Sequence, residues 1–299
     1  LDKEYLGMGE EVKKFETALS SFFNRSAICV VNGKCALQLA LQSIGIKTGD
    51  EVLVPSLTYL ASYQAISALG AIPVSCDINP ENLIINVQDA EKRITKRTRC
   101  IMPVFYSGGV GDLEEIYNLA LNYNLRVVED AAHAFGTRYN DKLIGSFVDI
   151  SCFSFDGIKN ITSGEGGCIV TDDDKVISLI QDLRLLGVKN DTENRFRNER
   201  TWTFDVYDQG WRYHMSNIMA AIGLEQLKKF DKFALKRRNF SNMYDKILSD
   251  KVNVKIIDRD YSSIVPHIYP IRINKTVNRD NIRKTLISKG IQTGVHYFP

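Results

Sequence analysis

The sequence predicts an α/β fold, in which a mainly parallel sheet with flanking helices is followed by a smaller C-terminal α/β domain. Short apolar runs of strand length alternate with helical patterns along most of the chain, as is typical of sheets built from crossover units. Of the 299 residues, 44% are hydrophobic and 25% are charged, so the chain is able to bury a large core. We expect a large domain over residues 1–230 and a small, incomplete domain over residues 231–299.

The strands and helices of the large domain follow from apolar runs and from residues that begin or end helices. The predicted strands are Ala27 to Val31, Glu51 to Pro55, Ile72 to Cys76, Cys100 to Val104, Leu125 to Glu129, Ile150 to Phe155 and Gly167 to Thr171. The predicted helices are Ala36 to Ile44, Ser62 to Leu69, Asp112 to Tyr123 and Lys175 to Leu186. Asp112 is a favourable residue to cap the helix that it begins, and Gly70 ends the helix predicted from Ser62 to Leu69.

After residue 187 the sequence predicts a long loop and then the small domain. Val188 to Thr203 lacks apolar periodicity and is rich in Asn, Arg, Lys and Glu. The elements predicted beyond it are a helix with Met219, Ile222 and Leu227, a helix from Ala234 to Leu248, strands from Val252 to Ile257 and Ile268 to Ile273, a helix from Arg279 to Lys289 and a closing strand from Gly294 to Phe298. Because domains rarely end on an uncovered strand, and the first residues lead almost directly into a helix, we expect the native protein to extend further at both ends.

Composition excludes several classes of function. The 38 basic and 36 acidic residues nearly cancel, so no overall field draws the chain to nucleic acid or to a membrane surface. No apolar run approaches the roughly 18 residues that a membrane span needs. The six cysteines form no C-x-x-C pair and several lie in apolar runs, which predicts buried free thiols in a reducing cytoplasm and no metal site. The expected partners are small molecules or a second copy of the chain.

An acid and a lysine stand at the ends of two successive predicted strands. Asp130 follows the apolar run that ends at Glu129, and in open α/β sheets that edge is where ligands bind. Lys159 follows the next strand and precedes the glycine-rich turn at Gly164 to Gly167. An amine that condenses with an aldehyde must be unprotonated, and a pyridine ring that accepts electrons needs a carboxylate at its nitrogen. Lys159 and Asp130 would meet these two demands.

A phosphate site is predicted where the first strand turns into a helix. Backbone N–H groups at the start of that helix favour an anion, and Gly33 allows a close approach. Ser154 would add a hydroxyl group, Lys34 a charge, and Tyr59 a flat face for a cofactor ring. Each residue alone has a structural alternative, as a cap, a turn or a packing residue. Their order along the chain is what favours a cofactor site.

Five motifs in this order resemble the DegT/DnrJ/StrS family of sugar aminotransferases, within fold type I of the pyridoxal-phosphate enzymes. They are G-x-x-A-L at Gly33 to Leu37, P-S-x-T-Y at Pro55 to Tyr59, E-D-A-A-H at Glu129 to His133, F-S-F-x-x-x-K at Phe153 to Lys159, and G-E-G-G at Gly164 to Gly167. The resemblance implies pyridoxal 5'-phosphate as cofactor, with Lys159 forming a Schiff base and carrying the proton. It further implies that Asp130 pairs with the pyridinium nitrogen and that His133 contacts the ring hydroxyl. Ser154 and the Gly33 turn would bind the phosphate, and Tyr59 would stack on the ring.

One segment departs from the family pattern. Gly210 to Met215 stands where many members read G-Y-N-Y-R-M, with an Asn that reaches the cofactor phosphate of the partner subunit. Arg212 replaces that Asn, and a guanidinium binds phosphate through two parallel N–H bonds. The resemblance therefore implies a homodimer with a shared active site, although Arg212 could instead pair with Asp208. The segment that ends with His296 and Tyr297 also matches the family and is expected to bind substrate.

The resemblance implies transfer of an amino group, with glutamate as the expected donor, to a nucleotide-linked keto-deoxysugar. Alternatives on the same scaffold are a sugar dehydratase, in which histidine replaces the lysine, an aminocyclitol aminotransferase and a non-catalytic regulatory protein. A nicotinamide enzyme would need G-x-G-x-x-G after the first strand, which is absent. The basic residues within 189–200 would hold a sugar diphosphate or form a solvated loop. The sugar, its nucleotide and the choice between C3 and C4 stay open.

Overall fold

The computed structural model describes residues 5–199 and 202–297. The first half of the chain contains α1 (Glu10–Phe23), β1 (Ser26–Val30), α2 (Gly33–Ser43), β2 (Glu51–Pro55), α3 (Leu60–Ser67), β3 (Ile72–Cys76), α4 (Val87–Lys92), β4 (Thr98–Ile101), α5 (Leu113–Asn122) and β5 (Arg126–Asp130). The second half contains β6 (Arg138–Tyr139), β7 (Lys142–Leu143), β8 (Ile150–Ser154), β9 (Gly167–Thr171), α6 (Asp174–Leu183), α7 (Asp191–Phe196), α8 (Asn217–Leu227), α9 (Phe230–Leu248), β10 (Val254–Ile256), β11 (Ile271–Ile273) and α10 (Arg279–Ser288).

Seven strands form the central sheet, in the order β1-β9-β8-β5-β4-β2-β3. The pairs from β8 to β3 are parallel, whereas β9 runs antiparallel to both β1 and β8. This confirms the predicted α/β fold with a mainly parallel sheet. Because β5 and β8 are parallel neighbours with Asp130 opposite Cys152, the chain leaves both strands at the same edge. That edge carries Asp130 and Ser154.

Both faces of the sheet are covered by helices, so its strands are apolar on both sides. In β5, Val127 belongs to the cluster that α1, α4 and α5 cover, and Val128 belongs to the cluster beneath α2, α3 and α6. This alternation follows from the two-residue period of a strand. The core therefore lies in two layers, one on each face, and it fixes the strand ends from which the site is built.

The structure confirms most of the elements that the sequence predicts. The strands at Glu51–Pro55, Ile72–Cys76 and Gly167–Thr171 have the predicted bounds, and other elements differ mainly at their ends. The Asp112 side chain accepts a hydrogen bond from the Glu115 amide at 3.1 Å and caps α5 as expected. The short elements α4, β6 and β7 were not predicted, because they contain too few residues to show a periodicity.

Two predictions about secondary structure are wrong. The loop predicted from Val188 to Thr203 contains α7, a single short helix in which Arg195 pairs with Asp191 at 2.8 Å. Its polar side chains gave no apolar pattern. Residues 294–297 form no strand, since the chain there packs against the cavity described below rather than pairing with another strand. Arg200 and Phe298, which also fall in these two predicted segments, lie outside the described residues.

The cysteines and helices agree with the other expectations from composition. All six cysteines are buried and none forms a disulfide. Burial raises the pKa of the Cys35 thiol to about 11, so this group stays protonated at neutral pH. Within residues 5–199 and 202–297, no helix is long and apolar enough to cross a membrane. The division between residues 230 and 231 stays a prediction, although α9 begins at Phe230.

A buried ion pair joins α1 to the end of α6. The fully buried Arg184 donates through Nη1 to the Glu16 carboxylate, and to the carbonyl oxygen of Cys29 at 2.8 Å. Glu16 also accepts from the Cys29 amide at 2.8 Å. These bonds tie α1 and α6 to β1, which borders the sheet. Removing either charge would leave the other buried without its partner.

We predict that Glu16→Ala lowers the free energy of unfolding by about 3–5 kcal/mol, the usual cost of breaking a buried ion pair from one side. Urea unfolding followed by circular dichroism measures this change. Glu225→Ala is the control, because Glu225 pairs with Lys228 on an exposed surface, where the expected loss is below about 1 kcal/mol. Similar losses in the two variants would contradict the importance given to the buried pair.

Candidate active site

A cavity of about 420 Å³ lies at the edge of the sheet where β5 and β8 end. All the site residues predicted from sequence line it, with the exception of Arg212. They are Gly33, Lys34, Tyr59, Asp130, His133, Ser154, Lys159, His296 and Tyr297. Residues spread over more than 260 positions of sequence thus meet in one place, which the sheet order explains.

The Asp130 carboxylate is buried and held by a chain of hydroxyl groups. Ser62 donates to Oδ2 at 2.7 Å, and the hydroxyl of Thr58 lies 2.6 Å from that of Ser62. The Ala132 amide donates to Oδ1 at 3.2 Å. Burial raises the pKa of Asp130, while these hydrogen bonds and the charge of Lys159 act in the opposite direction. The arrangement fixes the carboxylate while leaving lone pairs for a cationic ligand.

Lys159 is largely withdrawn from solvent in a turn that follows β8. Its amide donates to the carbonyl oxygen of Asp156 at 3.0 Å, which closes the turn. Burial lowers the pKa of the Lys159 amine, and the carboxylates of Asp130 and Asp156 oppose this shift. A lowered pKa increases the neutral fraction of the amine near pH 7, which is the form that attacks an aldehyde.

At the start of α2, beside Ser154, two backbone amides have no acceptor among the described residues. Asn32 caps the helix by accepting from the Cys35 amide at 2.9 Å, so the preceding amides of Gly33 and Lys34 remain for a ligand. A Cβ at position 33 would come within 2.8 Å of the Ser154 Cβ, so glycine is required there by this close contact. The Lys34 ammonium donates to Gln38 on the same helix, so its charge is already engaged.

Two histidines stack against each other in the wall of the cavity. The rings of His133 and His267 have centroids 4.3 Å apart. The Ser107 amide donates to Nδ1 of His133 at 3.3 Å, and burial lowers the pKa of that ring well below its usual value. His133 is therefore neutral and carries its proton on Nε2. His267 has no hydrogen-bond partner at either ring nitrogen within the described residues, and burial lowers its pKa to about 2.

Aromatic side chains also contribute to the cavity. The ring of Tyr59 is largely exposed and lies 5.7 Å from that of Tyr297, measured between centroids. Tyr106 packs edge-on against Tyr297, and its hydroxyl donates to the carbonyl oxygen of His296 at 2.8 Å. Burial raises the pKa of Tyr297 above its usual range. A flat ligand in this cavity would find both the ring of Tyr59 and the carboxylate of Asp130 among its lining groups.

Arg212 lies outside this cavity. It lines a second, larger cavity of about 730 Å³, together with Arg195, Trp202 and His214. The backbone of Arg212 forms an antiparallel bridge with Leu185, and its side chain is exposed. It forms no ion pair in the described part of the chain, so the alternative pairing with Asp208 is not observed.

These features fit pyridoxal phosphate. A carboxylate is available for a ring nitrogen, a partly buried amine for an aldehyde, and helix amides with a serine for a phosphate. The two unpartnered nitrogens of His267 likewise leave room for a polar ligand. With a mainly parallel sheet between helices, they define the fold type I class of pyridoxal-phosphate enzymes.

Comparison with known proteins identifies the family. The model of the DegT/DnrJ/EryC1/StrS aminotransferase family matches residues 1–299, and the chain belongs to this family. It is 39% identical over 295 residues to GDP-perosamine synthase from Escherichia coli O157:H7, covering 97% of this chain and 77% of that protein. These matches confirm the resemblance that the five motifs indicate.

Solved structures agree with this assignment. The structure of DesV from S. venezuelae matches with a TM-score of 0.89 and 32% identity, over 99% of this chain and 76% of that one. The structure of NtdA from Bacillus subtilis, with the bound cofactor PMP, matches with a TM-score of 0.87 and 28% identity, over 99% of this chain and 66% of that one. The chain is therefore a sugar aminotransferase whose cofactor is pyridoxal 5'-phosphate.

The sequence did not indicate two residues of the site, one that donates a hydrogen bond to the Asp130 carboxylate and one that stacks on His133. The sequence predicts Ser62 only as part of a helix, and its contact with Thr58, which precedes α3, was not predicted. His267 also lines the cavity, and the sequence alone leaves a structural and a functional role equally open for it. The partnership between Ser62 and Asp130 has no signal in a single sequence, because 68 residues separate the two groups.

We predict a graded loss of turnover when the Asp130 network is changed. Asp130→Asn should reduce turnover at saturating cofactor by about 10²–10³-fold, the usual effect of losing one electrostatic partner of a reacting group. Ser62→Ala should reduce it by about fivefold to tenfold, because one hydrogen bond to the carboxylate is lost. Steady-state assays measure both changes. Equal losses in the two variants, or no loss in Asp130→Asn, would contradict the role given to the carboxylate.

Proposed function

We propose that the enzyme transfers an amino group from glutamate to a nucleotide-linked keto-deoxysugar, with Lys159 as the residue that carries the proton. The observation that supports this most strongly is the meeting of Lys159 and Asp130 in one cavity beside the start of α2. The nucleotide is suggested by the relative named GDP-perosamine synthase. Glutamate is proposed as the donor from the family resemblance.

In the proposed mechanism each side chain has one task. The bound cofactor supplies an aldehyde carbon that accepts the amino group and a ring that accepts electrons. The Lys159 Nζ, in its neutral form, would take up the proton from the carbon that bears the amino group of the donor and hold it for return in the same reaction. The Asp130 carboxylate keeps the ring nitrogen protonated. Nε2 of His133 donates to the oxygen on the ring.

The remaining residues bind and orient. The amides of Gly33 and Lys34, with the Ser154 hydroxyl, are proposed to hold the phosphate, because helix N-termini favour anions. Tyr59 is proposed to lie against the ring of the cofactor. His296 and Tyr297 are proposed to contact the sugar, since both line the cavity and Tyr106 fixes the backbone of His296.

The basic segment over residues 189–200 remains a candidate for binding the diphosphate of the substrate. Arg195 lines the larger cavity, although its guanidinium is also paired with Asp191 at 2.8 Å. Lys189 lies over the ring of Tyr207, 5.6 Å from its centroid. These cations are thus partly engaged, and a diphosphate would have to compete with or extend those contacts.

We further propose a homodimer with a shared active site, in which Arg212 reaches the cofactor phosphate of the other subunit. Within its own subunit Arg212 lies in a different cavity from Lys159, and its exposed guanidinium is available to a partner. Trp202 and Phe204 line the same cavity and are mostly exposed, with 88% and 60% of their surface accessible. Large exposed aromatic side chains are typical of protein interfaces.

The substrate proposal predicts that glutamate aminates one member of a panel of nucleotide-linked keto-deoxysugars, with one 2-oxoglutarate formed for each aminated sugar. The panel varies the nucleotide and places the keto group at C3 or C4, and the assay follows 2-oxoglutarate and the mass of the aminated sugar. Lys159→Ala should form neither product, because the other lysine that lines the cavity among the described residues, Lys34, donates its amine to Gln38. Amination of a keto-cyclitol, with every panel sugar unreacted, would replace this proposal by the aminocyclitol alternative.

The dimer proposal predicts recovery of activity when two inactive variants are mixed. In a heterodimer of Lys159→Ala and Arg212→Ala subunits, one site would contain Lys159 from one chain and Arg212 from the other. That site would be whole, so each heterodimer should regain at most about half of wild-type activity. If heterodimers form, shown by two different tags, and Arg212→Ala is inactive alone, an absence of recovery would place Arg212 outside the neighbouring site.

A further inference from the structure

Arg237 on α9 joins two parts of the active site that are distant in sequence. Its guanidinium is half-buried, and Nη1 donates to the carbonyl oxygens of His267 at 2.9 Å and Pro266 at 3.4 Å. Nη2 donates to the carbonyl oxygen of Lys159 at 3.3 Å. A single side chain therefore contacts the backbone of the lysine and the backbone of a histidine that lines the same cavity.

The residue after the lysine reaches the same segment. The Asn160 side-chain amide donates to the carbonyl oxygen of Val265 at 3.2 Å, and to that of Phe135 at 3.0 Å. The Val265 amide donates in turn to the Thr137 hydroxyl at 3.1 Å. Residues 265–267 are thus bound to the segments that follow β5 and β8, and Arg237 connects them to α9.

The bonding of Arg237 is unusual for a half-buried arginine. In the described part of the chain it forms no ion pair, and backbone carbonyls accept its hydrogen bonds. Arginine keeps its proton in proteins, so these carbonyl dipoles must compensate the charge. Because the N–H groups of a guanidinium form a rigid fork, the carbonyls bound to it are held at a defined separation.

We propose that Arg237 is a positioning residue for the transaminase reaction, which fixes the turn carrying Lys159 against the segment carrying His267. Arg237 contacts neither the Lys159 amine nor the His267 ring, and it acts through the backbone carbonyl groups of both residues. The inference rests on the proposed role of Lys159, although the contact itself does not.

The environment of the Lys159 amine gives the proposal a measurable consequence. The titratable groups that face the amine are Asp130 on β5, Asp156 in its own turn, and His133, His267 and His296, whose pKa values burial lowers. Without the bond from Arg237 to the Lys159 carbonyl oxygen, the turn would be freer to move towards solvent. Greater exposure of the amine raises the pKa of Lys159, because burial is what lowers it, so a smaller fraction of the amine is neutral at pH 7.

The test is competitive acetylation of the full chain freed of pyridoxal phosphate, with the extent of modification at Lys159 measured by mass spectrometry across a pH series. Arg237→Met should move the midpoint for Lys159 upward by about one pH unit, the scale expected when a partly buried amine becomes more exposed to water. Added pyridoxal phosphate should then attach about tenfold more slowly at pH 7, followed by its absorbance. Arg237→Lys, which keeps the charge and loses the fork, should fall between the two.

Arg238→Met is the matched control, because Arg238 lies on the same helix and donates to the carbonyl oxygen of Ile264 at 3.1 Å without contacting Lys159. It should leave the Lys159 midpoint unchanged. Equal midpoints in wild type and Arg237→Met, or equal shifts in Arg237→Met and Arg238→Met, would overturn the proposal. If Arg237→Met does not fold, an unshifted midpoint in Arg237→Lys does the same. Attachment of the cofactor to another lysine in the wild type would instead refute the proposed role of Lys159.

Discussion

Burial of two opposite charges in one cavity is the constraint on which the site depends. Removal from water raises the pKa of Asp130 and lowers that of Lys159, so burial alone would make both groups neutral. A carboxylate that must hold a protonated ring nitrogen has to remain ionised, whereas an amine that must attack an aldehyde has to lose its proton. The hydroxyl chain through Ser62 supports the first requirement, since it donates to the carboxylate. Limited access to solvent supports the second.

The sheet makes this combination possible, because parallel strands deliver their carboxyl ends to one edge. Asp130 ends β5, and the turn carrying Lys159 follows the adjacent β8. The amides at the start of α2 lie beside Ser154 because Gly33 packs directly on it. The C-terminal part of the chain adds His267 to the cavity lining, and Arg237 donates to the backbone carbonyl oxygen of that residue. The core thus fixes the positions of the strand ends, and residues that contact the site residues, such as Ser62 and Arg237, hold the Asp130 carboxylate and the turn of Lys159 in place.

The sequence predicted the fold well, because long apolar runs and cap residues such as Asp112 carry their information locally. It failed at α7, where polar side chains form a helix through an ion pair rather than an apolar face, and at the closing segment. The sequence motifs indicated the residues that line the cavity, and the roles of these residues stay predictions. The links from Ser62 to Asp130 and from Arg237 to Lys159 span 68 and 78 residues, and such contacts exist only once the chain is folded. The role proposed for Arg212 requires a second subunit, which one sequence does not define.

The proposed chemistry requires that the Lys159 amine is the group that bonds to the cofactor. Borohydride reduction of the purified full chain with bound pyridoxal phosphate, followed by digestion and mass spectrometry of the labelled peptide, identifies that group. We expect the reduced pyridoxyl group on Lys159, and no such label in Lys159→Ala prepared in the same way. Stoichiometric label on a different lysine, or cofactor absorbance that persists unchanged in Lys159→Ala, would contradict it.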